Sequence, residues 1–139
     1  MIPVVDSKTE DELSARKELA AILRERSILR GDFTLVSGKK STYYINGKMT
    51  TLHSRGLSLT ARLLLEQVEG IAYDAFAGPV IGADPIIGAL LVLASTRGEE
   101  KEGLLIRKES KGHGTKKLVE GRMEKDMRVV IVEDVVTTG

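Results

Sequence analysis

Two adjacent carboxylates, Glu133 and Asp134, follow the uninterrupted apolar run 129–132 and precede a turn of small residues that ends in glycine. Such a run predicts a strand buried on both faces, and ligands bind beyond the carboxyl ends of strands in open α/β sheets. Carboxylates there suit ribose hydroxyls or a hard cation such as Mg²⁺, and the turn can direct backbone N–H groups at a phosphate. A solvated acidic turn explains the two acids alone, but it explains the whole segment 129–139 poorly.

Positive charge is concentrated in a second segment, 107–117. It holds five Lys or Arg residues against one Glu, together with two glycines, and it follows a predicted strand. Cations on a glycine-hinged loop can close over a polyanion and later release it. By composition alone, a solvated basic loop is the better interpretation.

Two further segments have plainer interpretations. Segment 33–48 contains two of the three tyrosines, Tyr43 and Tyr44, around a turn at 37–40, and it is typical of an aromatic hairpin that packs on a core. Segment 78–85 is a glycine-containing turn from a strand to a helix, and such turns are usually only tight connections.

The elements that must position these segments follow from hydrophobic periodicity. Leu13, Leu19, Ile22 and Leu23 predict an N-terminal helix that ends near Arg26. From residue 73 onward, short apolar runs alternate with helices, which is typical of a parallel α/β sheet. Asp84 is expected to cap the central helix, with Pro85 in its first turn. The predicted strands are 33–35, 42–45, 73–77, 103–106 and 127–132, with 118–119 as a further candidate, and the later helices are 57–68 and 84–95.

Bulk composition excludes several classes of protein. The 139 residues are 42% apolar and 29% charged, with a net charge of +1, so one domain is expected and no overall field attracts nucleic acid or a membrane. The absence of cysteine excludes disulfides, thiolate metal sites and a cysteine nucleophile. The sequence shows no export signal, and its most apolar run, 85–94, is too short to span a bilayer. A cytoplasmic protein is therefore expected.

In segment 129–139 the sequence resembles the type I phosphoribosyltransferases, whose motif is an apolar strand, two acids and a Thr/Gly-rich loop. The order Arg-Lys-Glu-x-Lys-x-His-Gly in segment 107–114 is similar to the mobile catalytic loop of the orotate phosphoribosyltransferases. The resemblance implies an α/β fold with a parallel twisted sheet flanked by helices, and an N-terminal helix and hairpin that form a hood. It also implies one domain over 1–139, with a hood and base-binding part at 1–50 and an incomplete phosphoribosyl-binding core at 51–139.

The resemblance assigns roles to individual residues. Glu133 and Asp134 hold ribose hydroxyls, and Lys111 and His113 are the catalytic residues. Mg²⁺ is bound mainly through the substrate, with Glu133 and Asp134 as candidate ligands. The 5-phosphate is cradled by Val135, Val136, Thr137, Thr138 and Gly139, and the pyrophosphate is bound by Arg107, Lys108, Lys111 and His113. Segment 78–85 matches the family's pyrophosphate-binding loop, although Gly82 stands where several relatives have lysine.

The base is assigned to the hairpin and its surroundings. Tyr43, Tyr44 and Ile45 lie over a flat conjugated ring, an arrangement that an aromatic face favours. Some relatives carry a base-contacting lysine where this chain has Val36; if that contact exists here, Lys48 or another cation must make it. Thr137 is the remaining residue assigned to the base.

The implied function is transfer of ribose 5-phosphate from 5-phosphoribosyl 1-pyrophosphate (PRPP) to orotate. The products are orotidine 5′-monophosphate and pyrophosphate, in pyrimidine nucleotide biosynthesis. A homodimer with shared active sites is implied, as well as a chain truncated in its phosphate loop. The alternatives are a type I transferase for a purine base and a non-catalytic PRPP-sensing regulator. A nucleic-acid binder that uses the basic loop fits least well, because the sequence contains no recognition motif.

Overall fold

A computed structural model of the chain describes residues 7–34, 38–108 and 118–136. The chain divides into two compact units, Met1–Leu63 and Leu64–Gly139, and the division falls within a helix. The single domain predicted from the sequence, with a hood at 1–50 and a core at 51–139, stays a prediction. No helix in the described part of the chain is both long enough and apolar enough to cross a membrane.

The first unit contains a helix followed by a hairpin and two further helices. The predicted N-terminal helix and hairpin are confirmed, although the first strand begins well before Phe33. One short helix was not predicted, and the predicted helix 57–68 begins earlier and ends one residue sooner. The elements are α1 (Ser7–Arg26), β1 (Ile28–Thr34), β2 (Lys40–Ile45), α2 (Lys48–Thr51) and α3 (Ser54–Gln67).

A small apolar cluster holds α1 against α3. Ala15 of α1 is buried with Leu59 and Leu63 of α3, and Leu19 and Ile22 pack on them. Leu13, which contributes to the helical periodicity, is 52% exposed and is not one of the residues of this cluster. Ion pairs flank the cluster, with 2.6 Å from Arg55 Nε to Glu18 Oε1 and from Arg62 Nη2 to Asp11 Oδ2. Because exposed ion pairs contribute little, the buried cluster is the main stabilising contact.

The hairpin is antiparallel, and its irregularity lies in β1. Ile28 pairs with Ile45 and Leu29 with Tyr44, and the register shifts between Arg30 and Phe33. A buried contact of 2.6 Å between Ser27 Oγ and Thr50 Oγ1 joins the start of the hairpin to α2. The hydroxyl pair is hydrogen-bonded and therefore acceptable in the interior.

The second unit is a four-stranded sheet with one helix between its first two strands. Strand β3 (Ala75–Pro79) runs parallel to both of its neighbours, β4 (Glu102–Ile106) and β6 (Val129–Ile131). Strand β5 (Val119–Glu120) is antiparallel to β4, so the sheet is mixed. The predicted α/β fold is confirmed. The elements are β3 (Ala75–Pro79), α4 (Asp84–Thr96), β4 (Glu102–Ile106), β5 (Val119–Glu120) and β6 (Val129–Ile131), and the order is β5-β4-β3-β6.

Small residues in the sheet allow α4 to pack closely on it. Most of β3 is buried, with Phe76 1% exposed. Gly103 of β4 lies under α4, where an added Cβ would be 2.8 Å from Leu91 Cδ1 and 3.1 Å from Ile87 Cγ2. Buried apolar side chains on the inner face of α4 complete the core, and they are Ile86, Ile87, Leu90 and Ala94.

Two local predictions are wrong. The last strand is not buried on both faces, because Val129 is 37% and Ile131 62% exposed. β6 lies at the edge of the described sheet with β3 as its neighbour, and an edge strand has less to pack against. Asp84 does not cap α4: the N-cap residue is Ala83, and no side-chain cap hydrogen bond is formed. Asp84 is instead the first residue of the helix.

Candidate functional site

The acidic pair lies at the edge of the sheet where β3, β4 and β6 end, here called the carboxyl edge. These strands are parallel, and Ala77 of β3 pairs with Ile131 of β6. The backbone N–H of Val132 donates to the carbonyl oxygen of Ala77 at 2.8 Å, which extends the pairing by one residue. Glu133 and Asp134 therefore follow β6 beside the turn that leaves β3, as the sequence predicts for a ligand-binding edge.

Glycine allows this turn to approach the acidic segment closely. A Cβ added to Gly82 would collide with the carboxylate of Asp134, and one added to Gly78 would collide with the carbonyl oxygen of Val132 and with Ala83. Both glycines are buried. Segments 78–85 and 129–136, far apart in sequence, thus meet at the carboxyl edge.

The acids at this edge differ in their surroundings. Glu133 is exposed, and its Oε1 accepts a hydrogen bond of 3.0 Å from the backbone N–H of Asp134. Asp134 is half-buried against Gly82. Asp84, which begins α4, has a buried Oδ1 atom with no hydrogen-bond partner among the described residues. These carboxylate oxygens can accept hydroxyl protons or coordinate a hard cation.

The opposite end of the same strands, here called the amino edge, sets their register. Asp74 Oδ2 accepts the backbone N–H of Arg128 at 2.8 Å, and the Arg128 guanidinium donates to both oxygens of Asp74 at 3.2 Å. The backbone N–H of Asp74 donates to the carbonyl oxygen of Arg128 at 2.8 Å. Hydrogen bonds from Arg128 lower the pKa of the Asp74 carboxyl. This pair reinforces the alignment of β6 with β3 that their backbone hydrogen bonds set.

The basic segment begins at the carboxyl edge, after β4. Arg107 Nε is 3.0 Å from Glu120 Oε1, and the Arg107 backbone N–H donates to the carbonyl oxygen of Leu118 at 2.8 Å. Lys108 is exposed. Lys111 and His113 lie outside the described residues. The structure thus places Arg107 in an ion pair at the base of the loop, a contact that sequence reasoning missed.

The residues assigned to the base lie in the first unit. Tyr43, Tyr44 and Ile45 are 54%, 46% and 52% exposed, so these β2 side chains are not core residues. The Tyr44 ring contacts that of Phe33 with centroids 5.7 Å apart. Lys48 begins α2 and is half-buried.

The phosphate loop is described only in part. Val135 and Val136 are exposed after Asp134. Thr137, Thr138 and Gly139 lie outside the described residues, so their assignment to phosphate and base stays a prediction.

A cavity of about 340 Å³ lies at the amino edge, far from the acidic pair. Its charged lining includes the Asp74–Arg128 pair and Lys101, whose Nζ donates to the carbonyl oxygen of Tyr73 at 3.0 Å and lies 4.4 Å from the centroid of its ring. These charged groups already have partners within the fold. The cavity therefore gives no support to a second ligand site.

The mixed sheet and the segments gathered at its carboxyl edge define a protein of the type I phosphoribosyltransferase fold. No protein-family model matches the chain. Solved structures of Mycobacterium tuberculosis orotate phosphoribosyltransferase are similar to it. The complex with Fe(III) dicitrate has a TM-score of 0.75 and 36% identity, covering 90% of this chain and 70% of that one. The complex with PRPP has a TM-score of 0.70 and 33% identity, covering 89% of this chain and 67% of that chain.

Curated sequences agree with the structures. The chain is 47% identical over 125 residues to the orotate phosphoribosyltransferase of Thermosynechococcus vestitus, covering 89% of this chain and 66% of that protein. It is 41% identical over 135 residues to the orotate phosphoribosyltransferase of Rhodopirellula baltica, covering 91% of this chain and 70% of that protein. The chain belongs to the orotate phosphoribosyltransferase family. It spans about two thirds of the length of the curated relatives it matches.

Proposed function

We propose that this chain carries the PRPP- and orotate-binding residues of an orotate phosphoribosyltransferase. The reaction transfers ribose 5-phosphate from PRPP to orotate and gives orotidine 5′-monophosphate and pyrophosphate. The observation that supports it best is the contact between the Asp134 carboxylate and Gly82. This contact joins the two segments that would hold the ribose and the pyrophosphate of one substrate. The M. tuberculosis relative has been solved in complex with PRPP.

In this proposal the acidic pair orients the ribose. Glu133 and Asp134 accept hydrogen bonds from the ribose hydroxyls, while Val135 to Gly139 bind the 5-phosphate through backbone N–H groups and the hydroxyls of Thr137 and Thr138. Charge-assisted hydrogen bonds of this kind are strong and directional. Holding the sugar at both ends leaves its anomeric carbon in a defined position for attack by the base.

The basic loop acts on the leaving group. As the anomeric bond stretches, negative charge builds up on pyrophosphate, and Arg107, Lys108, Lys111 and His113 stabilise it electrostatically. Lys111 and His113 are the catalytic residues. Orotate is already an anion, so its attack needs no strong general base. The Arg107 guanidinium is paired with Glu120 through Nε, so Glu120 and the pyrophosphate compete for part of its charge and its five N–H donors.

The base contacts come from the hairpin. Tyr43 and Tyr44 offer exposed aromatic surface to a flat ring. Lys48 supplies positive charge for the orotate anion, and Ile45 and Thr137 complete the set. A purine-specific transferase has less support, because the relatives described above are all named for orotate.

The residues at the carboxyl edge fit Mg²⁺ bound with the substrate. Within the described ranges, no group of three or more His, Cys, Asp or Glu side chains could hold a metal by itself. Mg²⁺ commonly takes one or two carboxylates plus substrate phosphates, and Glu133 and Asp134 provide carboxylates beside the turn. When bound, the ion would neutralise charge on the pyrophosphate.

We also propose a cytoplasmic homodimer in which each subunit's basic loop completes the partner's site. A symmetric dimer is the smallest assembly in which each subunit can complete the site of the other. The ordinary composition and the near-zero net charge are compatible with a cytoplasmic protein, with no attraction to nucleic acid or membranes.

The proposed activity is tested by pyrophosphate release from PRPP and Mg²⁺, with orotate, uracil, adenine and hypoxanthine compared side by side. Release is expected with orotate alone. Lys111→Ala should lower kcat by roughly 100-fold, because a cation that stabilises transition-state charge is lost. Lys125→Ala is the matched control, since Lys125 is an exposed lysine of a turn outside the site.

Release with another base would contradict the orotate assignment but leave a transferase. If no base supports release, the assay is repeated with the C-terminal segment of a curated relative joined after Gly139. If the extended chain also releases no pyrophosphate with any base, the proposed function is contradicted.

A further inference from the structure

Phe33 of β1 packs its ring on a residue that is assigned to the base. The centroid of its ring lies 5.7 Å from that of Tyr44, and the two ring planes are inclined by 36°. This separation is within the range of favourable aromatic pairs. Within the described part of the chain, the apolar cluster that holds α1 against α3 does not include Phe33. The contact with Tyr44 is therefore separate from the core of the first unit.

The Phe33 ring also lies against the irregular part of its own strand. The pairing of β1 with β2 shifts between Arg30 and Phe33, where two residues of β1 lie opposite one residue of β2. Gly31, in this β-bulge, has a φ of +154°, a conformation that favours glycine. A Cβ added to Gly31 would be 3.6 Å from Cε2 and Cζ of Phe33. The ring thus has neighbours in both the bulge and Tyr44.

The Tyr44 ring is supported by Phe33 and still accessible to a ligand. Tyr44 is 46% exposed despite this contact, and Phe33 is half-buried. A ligand that stacks on a mobile side chain must immobilise it, which costs free energy on binding. A neighbouring ring that restricts Tyr44 beforehand lowers this cost.

We infer that Phe33 is a positioning residue of the base site, because it holds the Tyr44 ring in the orientation that receives orotate. This inference rests on the proposed function, in which Tyr44 lies over the base. Phe33 acts through Tyr44 and needs no contact of its own with the substrate. A change at Phe33 should therefore affect ligands that contain the base and leave PRPP binding as it is.

The test compares two ligands that share a phosphorylated ribose. Orotidine 5′-monophosphate contains the base and PRPP does not, and calorimetric titration of the 139-residue chain in Mg²⁺ measures the affinity for each. Phe33→Leu removes the ring but keeps an apolar side chain. It should weaken orotidine 5′-monophosphate binding by roughly fivefold, the size expected of one aromatic pair, and leave PRPP affinity unchanged. Phe33→Tyr keeps the ring and should bind both ligands as the unaltered chain does.

A double-mutant cycle shows whether Phe33 acts through Tyr44. Tyr44→Leu alone should weaken orotidine 5′-monophosphate binding, and adding Phe33→Leu to it should cause little further loss. Leu13→Ala, which shortens an exposed apolar side chain of α1, is the control and should change neither affinity. Thermal melting checks that each variant is folded. If Phe33→Leu is unfolded, Phe33→Met takes its place, since methionine adapts to irregular apolar surroundings.

Each other outcome overturns the inference. Unchanged affinity for orotidine 5′-monophosphate in Phe33→Leu would show that Tyr44 needs no support from Phe33, and would leave the proposed function standing. An equal loss of affinity for both ligands, or unfolding of both variants without the ring, would show that Phe33 stabilises the hairpin instead. Additive losses in the double mutant would show that Phe33 does not act through Tyr44.

The unaltered chain separates the inference from the proposed function. Binding of PRPP without binding of orotidine 5′-monophosphate would overturn the inference and the base site of this chain, but not its PRPP site. Binding of neither ligand would overturn the inference together with the proposed function.

Discussion

Charged side chains have different surroundings at the amino edge and at the carboxyl edge of the sheet. At the amino edge, Asp74 takes three hydrogen bonds from Arg128. Lys101 lies there against the carbonyl oxygen and the ring of Tyr73. At the carboxyl edge, the Asp134 carboxylate lies against Gly82, Glu133 is exposed, and a buried oxygen of Asp84 has no hydrogen-bond partner among the described residues.

The difference separates charge that builds the fold from charge that is proposed to bind a ligand. Satisfied polar groups fix geometry, here the alignment of β6 with β3. Carboxylate oxygens at the carboxyl edge can accept hydroxyl protons or coordinate a cation, which is the role proposed for them. Changes at the two edges should therefore affect different measurements.

The largest effect is expected from Gly82→Ala. The added methyl group collides with the Asp134 carboxylate, and the turn or the acid must move. A displacement of about 1 Å can lower activity by roughly 100-fold, and we expect a comparable loss of PRPP affinity. Gly88→Ala in α4 is the matched control: a Cβ there meets nothing within 4 Å, and alanine should stabilise the helix by up to about 1 kcal/mol. For both variants, calorimetric titration measures the PRPP affinity and thermal melting measures the stability. Unchanged affinity in Gly82→Ala would mean that Asp134 does not contact the substrate.

A smaller and different effect is expected from Asp74→Asn at the amino edge. Arg128 lowers the pKa of Asp74 in the folded state, so the ionised pair stabilises the fold above the unfolded pKa, and this contribution disappears as pH falls through the folded one. The variant should melt a few degrees lower at pH 7, and the difference should shrink as pH falls below about 4.

PRPP affinity at pH 7 should change little in Asp74→Asn if the amino edge is structural. Asp32→Asn, at an exposed position of β1, serves as the control for melting. A melting difference that does not depend on pH would show that the carboxylate charge is not what stabilises β6.

The smallest effect is expected from Glu120→Gln, which releases Arg107 from its ion pair. Because exposed pairs are weak, we expect PRPP affinity to rise by only about twofold. Glu124→Gln is the matched control, since Glu124 forms a comparable pair with Arg122 at 2.8 Å and has no assigned role. Titration at low and high salt measures the change. A fall in affinity would instead show that Glu120 holds Arg107 in its working position.

Periodicity and motif order predicted most elements correctly, but with shifted boundaries. The strand predicted at 73–77 is observed at Ala75–Pro79. Tyr73 lies before this strand but is buried against Phe76, with ring centroids 4.9 Å apart. A buried apolar residue at this position has the same sequence pattern as a strand residue, so the strand was predicted to begin there. Asp74 bonds to Arg128, 54 residues away, and no local pattern could reveal that. The short helix α2 lacks a periodic signal, since it has only four residues.

The sequence by itself determined the family, the α/β order of elements and the acidic and basic segments, because these depend on residue types at short spacing. Only the tertiary structure decided which segments meet. Strand register and helix packing set the contact of Gly82 with Asp134 and the ion pair of Arg107 with Glu120. They also bury Oδ1 of Asp84, which has no hydrogen-bond partner among the described residues. An aspartate before Pro85 was expected to cap a helix, since that is its usual local role. In the structure the N-cap is Ala83, which packs against Gly78 of β3, and Asp84 is the first residue of the helix, so a tertiary contact accompanies a cap that local pattern did not predict.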